Sequence, residues 1–123
     1  MSRIRGDQRL NREVTAGEVF ALLWNAMANI LGTGATATLL RRAIRKVAQR
    51  RPDLKGLTIR KEALKYAFTI PDSWNEPQTT AMDALRDVTQ ALRPMLAELT
   101  GRVVLRQLEK LELLKEHRIM TEE

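Results

Sequence analysis

Arg41, Arg42, Arg45, Lys46 and Arg50 are the residues of this chain best suited to recognising another molecule. Set at 100° per residue they occupy one side of a helix, while Ala37, Leu40, Ala43, Ile44, Val47 and Ala48 occupy the other. Guanidinium groups are planar forks that match carboxylates and phosphates, and arginine outnumbers lysine fifteen to six along the chain. A strand pair carrying Arg60, Lys61 and Lys65 follows directly, so Lys61 and Lys65 join the helix cations as candidate contacts. Residues 41–65 hold ten Lys or Arg against Asp53 and Glu62, a local charge of +8, whereas residues 66–101 sum to −3 and residues 102–123 to zero. The net charge of +6 is thus one basic block. An acidic protein surface is the partner this predicts, with DNA as the alternative. A basic helix followed by a basic-tipped hairpin has the layout in which a winged helix presents its recognition helix and wing.

Catalytic chemistry has little to draw on. Cysteine is absent, which removes thiol nucleophiles, disulfides and cysteine metal sites, and the one histidine, His117, sits in a charged tail. The serines are Ser2 at the terminus and Ser73 in a polar loop. Asp83 and Asp87, spaced i, i+4 beside Arg86, have the pattern of a solvated helix face. The turn Gly32-Thr33-Gly34-Ala35-Thr36 precedes a helix but lacks the Lys-Ser/Thr pair of a phosphate loop, and no strand leads into it. A non-enzymatic protein without metal or cofactor is expected.

One polar pair stands inside an apolar helix. Asn25 and Asn29 lie one turn apart beside Trp24, and buried amides need partners, so Trp24, Asn25 and Asn29 form a candidate ligand pocket for a small-ligand sensor.

The elements that must position these residues follow from periodicity and punctuation. Residues 1–14 form a polar basic arm, residues 15–116 one domain, and residues 117–123 a charged tail. Thr15-Ala16-Gly17-Glu18 fits a capping box and predicts a helix running to about Leu31, stopped by Gly32. Val19 to Leu40 is free of charge for 22 residues, long enough to span a bilayer, yet its two asparagines and paired glycines predict instead a buried helix and a tight turn. The basic helix is expected over residues 35–50, ended by Pro52.

Alternation over residues 57–70 predicts a β-hairpin, and the missing Asn-Gly or Asp-Gly signal predicts a long loop between its strands. Ala81, Leu85, Val88, Leu92, Met95, Leu96, Leu99 and Val103 keep one helical face, on which Pro94 predicts a kink or a new segment. Past Gly101 the apolar stripe moves by about a third of a turn. The last helix therefore either folds back or projects toward a second chain. The second arrangement makes Val104, Leu108 and Leu111 a homodimer interface.

The expected fold is α+β and mainly helical, with a buried helix hairpin, one β-hairpin and a long kinked C-terminal helical region. The expected function is a homodimeric adaptor or regulatory module docking an acidic partner. Lack of cysteine and of an export-like apolar stretch after the N-terminal arginines makes the cytoplasm the expected compartment.

Overall fold

The computed structural model describes residues 14–76 and 79–111. Among these residues four helices and one antiparallel hairpin form a mainly helical α+β fold: α1 (Ala16–Leu31), α2 (Thr33–Ala48), β1 (Thr58–Glu62), β2 (Lys65–Thr69), α3 (Thr79–Thr100) and α4 (Arg102–Glu109). Single 3-10 turns at Pro52–Leu54 and Asp72–Asn75 flank the hairpin. Most of the basic arm and all of the charged tail lie outside the described residues.

The capping box forms as its residue types require: Thr15 Oγ1 accepts the Glu18 N–H at 3.1 Å, and Glu18 Oε1 accepts the Thr15 N–H at 3.3 Å. Helix α1 is then central, with Val19, Phe20, Leu23 and Met27 fully buried. Gly32 alone separates it from α2, which begins two residues earlier than the periodicity predicted. At φ 89° and ψ 160° the glycine turns the chain, and its carbonyl accepts both the N–H and the hydroxyl of Thr36, at 3.2 and 2.8 Å. Among the described residues no helix is long and apolar enough to cross a membrane.

Leu40, Ala43, Ile44 and Val47 bury the predicted face of α2 against α3 and α1. The hairpin register pairs Ile59 with Phe68 and Lys61 with Tyr66, placing these four on the side toward the helices. Phe68 meets Phe20 edge-on at 5.0 Å between ring centroids and Trp24 at 5.4 Å. Contrary to the expected long loop, the connection has two residues, Ala63 and Leu64. Ala63 takes the positive φ, 55°, that such turns usually assign to Asn or Gly. Leu64 is the tip of the hairpin and is 93% exposed.

Helix α3 runs unbroken through Pro94. Pro94 has no N–H to give the Gln90 carbonyl, and both residues are exposed. The true break is Gly101, at φ 72° and ψ −160°. Beyond it α4 folds back onto α3 and α1, with Val104, Leu105 and Leu108 buried and Leu111 half-buried against the same core. The interface assigned to Val104, Leu108 and Leu111 is therefore corrected: these side chains are taken up by the chain's own core. The apolar stripe shifts because the axis turns at Gly101, and the shifted stripe meets the core the earlier one already faces.

Candidate functional site: the basic face of α2 and the hairpin beside it

Burying one face of α2 forces the other outward. Arg42, Arg45 and Lys46 are exposed on it, and Arg50 is exposed in the turn that follows Ala48. None of the four has an ion pair or a hydrogen bond from its side chain among the described residues. Lys65 is likewise exposed and unpaired on the outer side of the hairpin.

Arg41 differs from its neighbours. It is half-buried, its Nε donates to the carbonyl of Ile59 at 3.1 Å, and its guanidinium lies 5.9 Å from the centre of the Tyr66 ring. Lys61 Nζ stands at the same 5.9 Å from that ring. One aromatic ring is therefore within reach of two cations, contacts its quadrupole stabilises by about 0.5–1 kcal/mol each. Through Tyr66 the structure joins the helix candidates to the hairpin candidates. Tyr66 itself was legible only as an alternating strand residue.

Two open hollows, each of about 300 Å³, meet at Arg45. One is lined by Arg42, Arg45, Lys46, Gln49 and Met95, against α3. The other is lined by Arg41, Ile44, Arg45, Leu57, Thr58 and Ile59, where α2 runs beside β1.

Not every cation of the basic block is available. Arg51 donates to Asp53 at 3.2 Å and to Asp87 at 2.9 Å, fastening the end of α2 to α3. The Arg51 hydrogen bond holds the Asp53 carboxyl below its usual range, and the bond to Asp53 raises Arg51 in turn. Arg60 is bonded to Glu62 and Thr69, both at 2.6 Å, on the outer side of the hairpin. The block divides into cations that brace the fold and cations left facing solvent.

The second candidate site does not assemble. Asn25 and Asn29 are exposed on α1, while Trp24 is buried against Phe68. Asparagine amides in solvent need no internal partner, and α1 has one wet side where its composition suggested none. No pocket links the three residues among the described hollows, and no cluster of three or more His, Asp or Glu that could hold a metal ion occurs among the described residues. No protein-family model, curated protein or solved structure matches this chain.

Proposed function

We propose that the protein is a non-enzymatic regulatory interaction module, acting in the cytoplasm, that docks an acidic protein through the basic face of α2. One observation carries the reading: the segregation of cations. Arg51 and Arg60 are closed by carboxylates within the chain, whereas Arg42, Arg45, Lys46 and Arg50 are exposed and unpaired among the described residues, and the first three of these line the two hollows. Unpaired charges of one sign on a rigid helix steer an oppositely charged partner and reject like-charged ones. Half-buried Met95, in the hollow with Arg42, Arg45 and Lys46, supplies apolar ground for a partner's uncharged side chains. Pairing of two chains is no part of this reading, since the side chains expected to mediate it are internal.

DNA is the competing occupant of the same charges. Against it, a single glycine joins α1 to α2, where the helix-turn-helix uses a connection of about three or four residues. The test is a selection of displayed short random peptides on the full chain, counter-selected with Arg42→Gln/Arg45→Gln/Lys46→Gln, beside a selection of random duplex DNA at near-physiological salt. All three substituted residues are exposed, so the variant should fold as the parent does. The expected result is a set of Asp- and Glu-rich peptides whose affinity drops about tenfold or more on the variant, roughly 1.4 kcal/mol. A defined DNA motif lost on the same variant overturns the reading in favour of a DNA-binding regulator.

A further inference from the structure

We infer, resting on the docking reading above, that the groove between α2 and α3 takes an amphipathic helix of a partner protein, acidic along the flank that lies against α2. Asp87, Ala91 and Met95 follow one another at single helical turns along α3, on the side that meets α2. Two contacts fix the direction. Asp87 is bonded to Arg51 at the end of α2, whereas Met95 lines a hollow with Arg42, Arg45, Lys46 and Gln49 from earlier in that helix. The two helices are therefore antiparallel, and the row on α3 runs back along the cations of α2.

The groove opens along that row. The Arg51–Asp87 pair closes one end. Ala91 and Met95 are half-buried, and Leu99, one turn further, is 59% exposed. Ala91 to Leu99 spans about 12 Å at 1.5 Å per residue. On α2 beside this ground Arg42 and Lys46, also one turn apart, are exposed with no anion among the described residues. A ligand for such a surface needs two adjoining rows with the same repeat, apolar anchors in one and carboxylates in the other. Helix positions at spacings of three and four residues supply both, the acidic row lying beside the apolar one and not on it. The backbone argues likewise. Apart from the Gln90 carbonyl opposite Pro94, the walls are helices whose backbone groups are bonded along their own axes. An extended segment laid there would give up water and find no ladder, whereas a helix brings its hydrogen bonds with it.

Charge decides between occupants. Among the described residues a second copy has no helix with a free acidic row: α1 has Glu18 as its one charge, Asp83 and Asp87 of α3 are bonded to Arg86 and Arg51, and the one acid of α4, Glu109, is bonded to Arg93. Nucleic acid would meet the cations but set phosphates over Met95 and Leu99. Glu98, exposed three residues after Met95, repels carboxylates from the α3 side, so the ligand is acidic on one flank only.

The probes are two synthetic peptides of about 14 residues, roughly four helical turns, with identical composition. In one, leucines form a single helical stripe with glutamates along one flank; in the other the same residues are permuted so that leucine and glutamate are spread around the helix. Binding to the full chain is read by fluorescence anisotropy, the conformation of the isotope-labelled peptide by NMR, and the groove by the Met95 methyl resonance. The striped peptide should bind, weaken as salt is raised, become helical on the protein and shift the Met95 methyl, while its isomer binds about tenfold more weakly or worse. Arg42→Gln/Lys46→Gln should weaken the striped peptide about tenfold and Leu99→Gln several-fold, all three positions being exposed and tolerant of the change. Absence of binding at high peptide concentration, equal affinities of the two isomers, a bound peptide that stays unfolded, or an unaltered affinity for Leu99→Gln overturns the helix. If acidic peptides from the selection above still depend on Arg42, Arg45 and Lys46, docking stands and only its geometry fails; if they do not, the docking reading falls as well.

Discussion

Two single glycines each turn this chain between helices, Gly32 from α1 to α2 and Gly101 from α3 to α4. Their backbones are alike: φ 89° and ψ 160° against φ 72° and ψ −160°, each with its N–H bonded to the carbonyl four residues back, Ala28 or Ala97, at 2.8 Å. The helices they lead into are unlike. Gly32 opens a helix of 16 residues whose first turn is fastened by Thr36 to the glycine's own carbonyl. Gly101 opens a helix of 8 residues, and neither helix start has a side-chain cap. A helix that short is not stable alone in water, so α4 exists because Val104, Leu105 and Leu108 are buried and because Arg93 and Glu109, 3.1 Å apart, tie it to α3. The glycine sets where a chain turns; the side chains buried beyond it decide whether the turn leads anywhere.

The strongest way to break the comparison is to remove the burial at the second corner. Leu108→Ala should cost about 2–5 kcal/mol in denaturant unfolding, since Leu108 is wholly enclosed. The parent's unfolding midpoint should not change with protein concentration. A midpoint that rises with concentration would mean that α4 is held by a second chain and not by its own core.

Substituting the glycines themselves should have a smaller and more even effect. This region of backbone space is nearly closed to other residues, so Gly32→Ala and Gly101→Ala should each cost about 1–3 kcal/mol. Nothing lies within 4 Å of a Cβ added at either position, so the cost is conformational strain without collision. Equal losses by thermal unfolding would establish that the two corners are energetically the same joint. A markedly smaller loss at Gly101 would show α4 detaching instead of bearing the strain.

Much of this architecture is written in local signals. The capping box at Thr15 and Glu18, the stop at Gly32, the two faces of α2 and the alternation around Tyr66 and Phe68 each depend on residues near one another in sequence, and each appears where those residues demand. What was not legible depends on distant partners or on strain. Asn25 and Asn29 read as buried because α1 lacks charge, but which side of an apolar helix stays wet is settled by what packs on it. Arg51 and Arg60 read as part of one basic block, yet Asp87, thirty-six residues from Arg51, withdraws the first from the surface. The direction of α4 was ambiguous because the phase of an apolar stripe loses its meaning across a break in the helix. Of the candidate site, the exposed cations were legible from pattern alone, whereas the place of Tyr66 beside Arg41 and Lys61 required the register.

The turn at Ala63 has a consequence for the order in which the molecule assembles. A non-glycine residue at φ 55° costs about 1–2 kcal/mol, so this hairpin has no turn that closes it ahead of the rest. Its stability comes from Ile59 and Phe68 settling onto a surface that Phe20 and Trp24 already provide, and a two-stranded ribbon has little stability without such a surface. The helices must therefore gather first and the hairpin must close late, after the barrier to folding has been passed. Ala63→Gly, which relieves the strain, should then add up to about 1 kcal/mol by slowing unfolding while leaving the folding rate nearly unchanged. Stopped-flow refolding of that variant decides the point: a folding arm accelerated in proportion to the gained stability would place the turn in the nucleus and reverse the order.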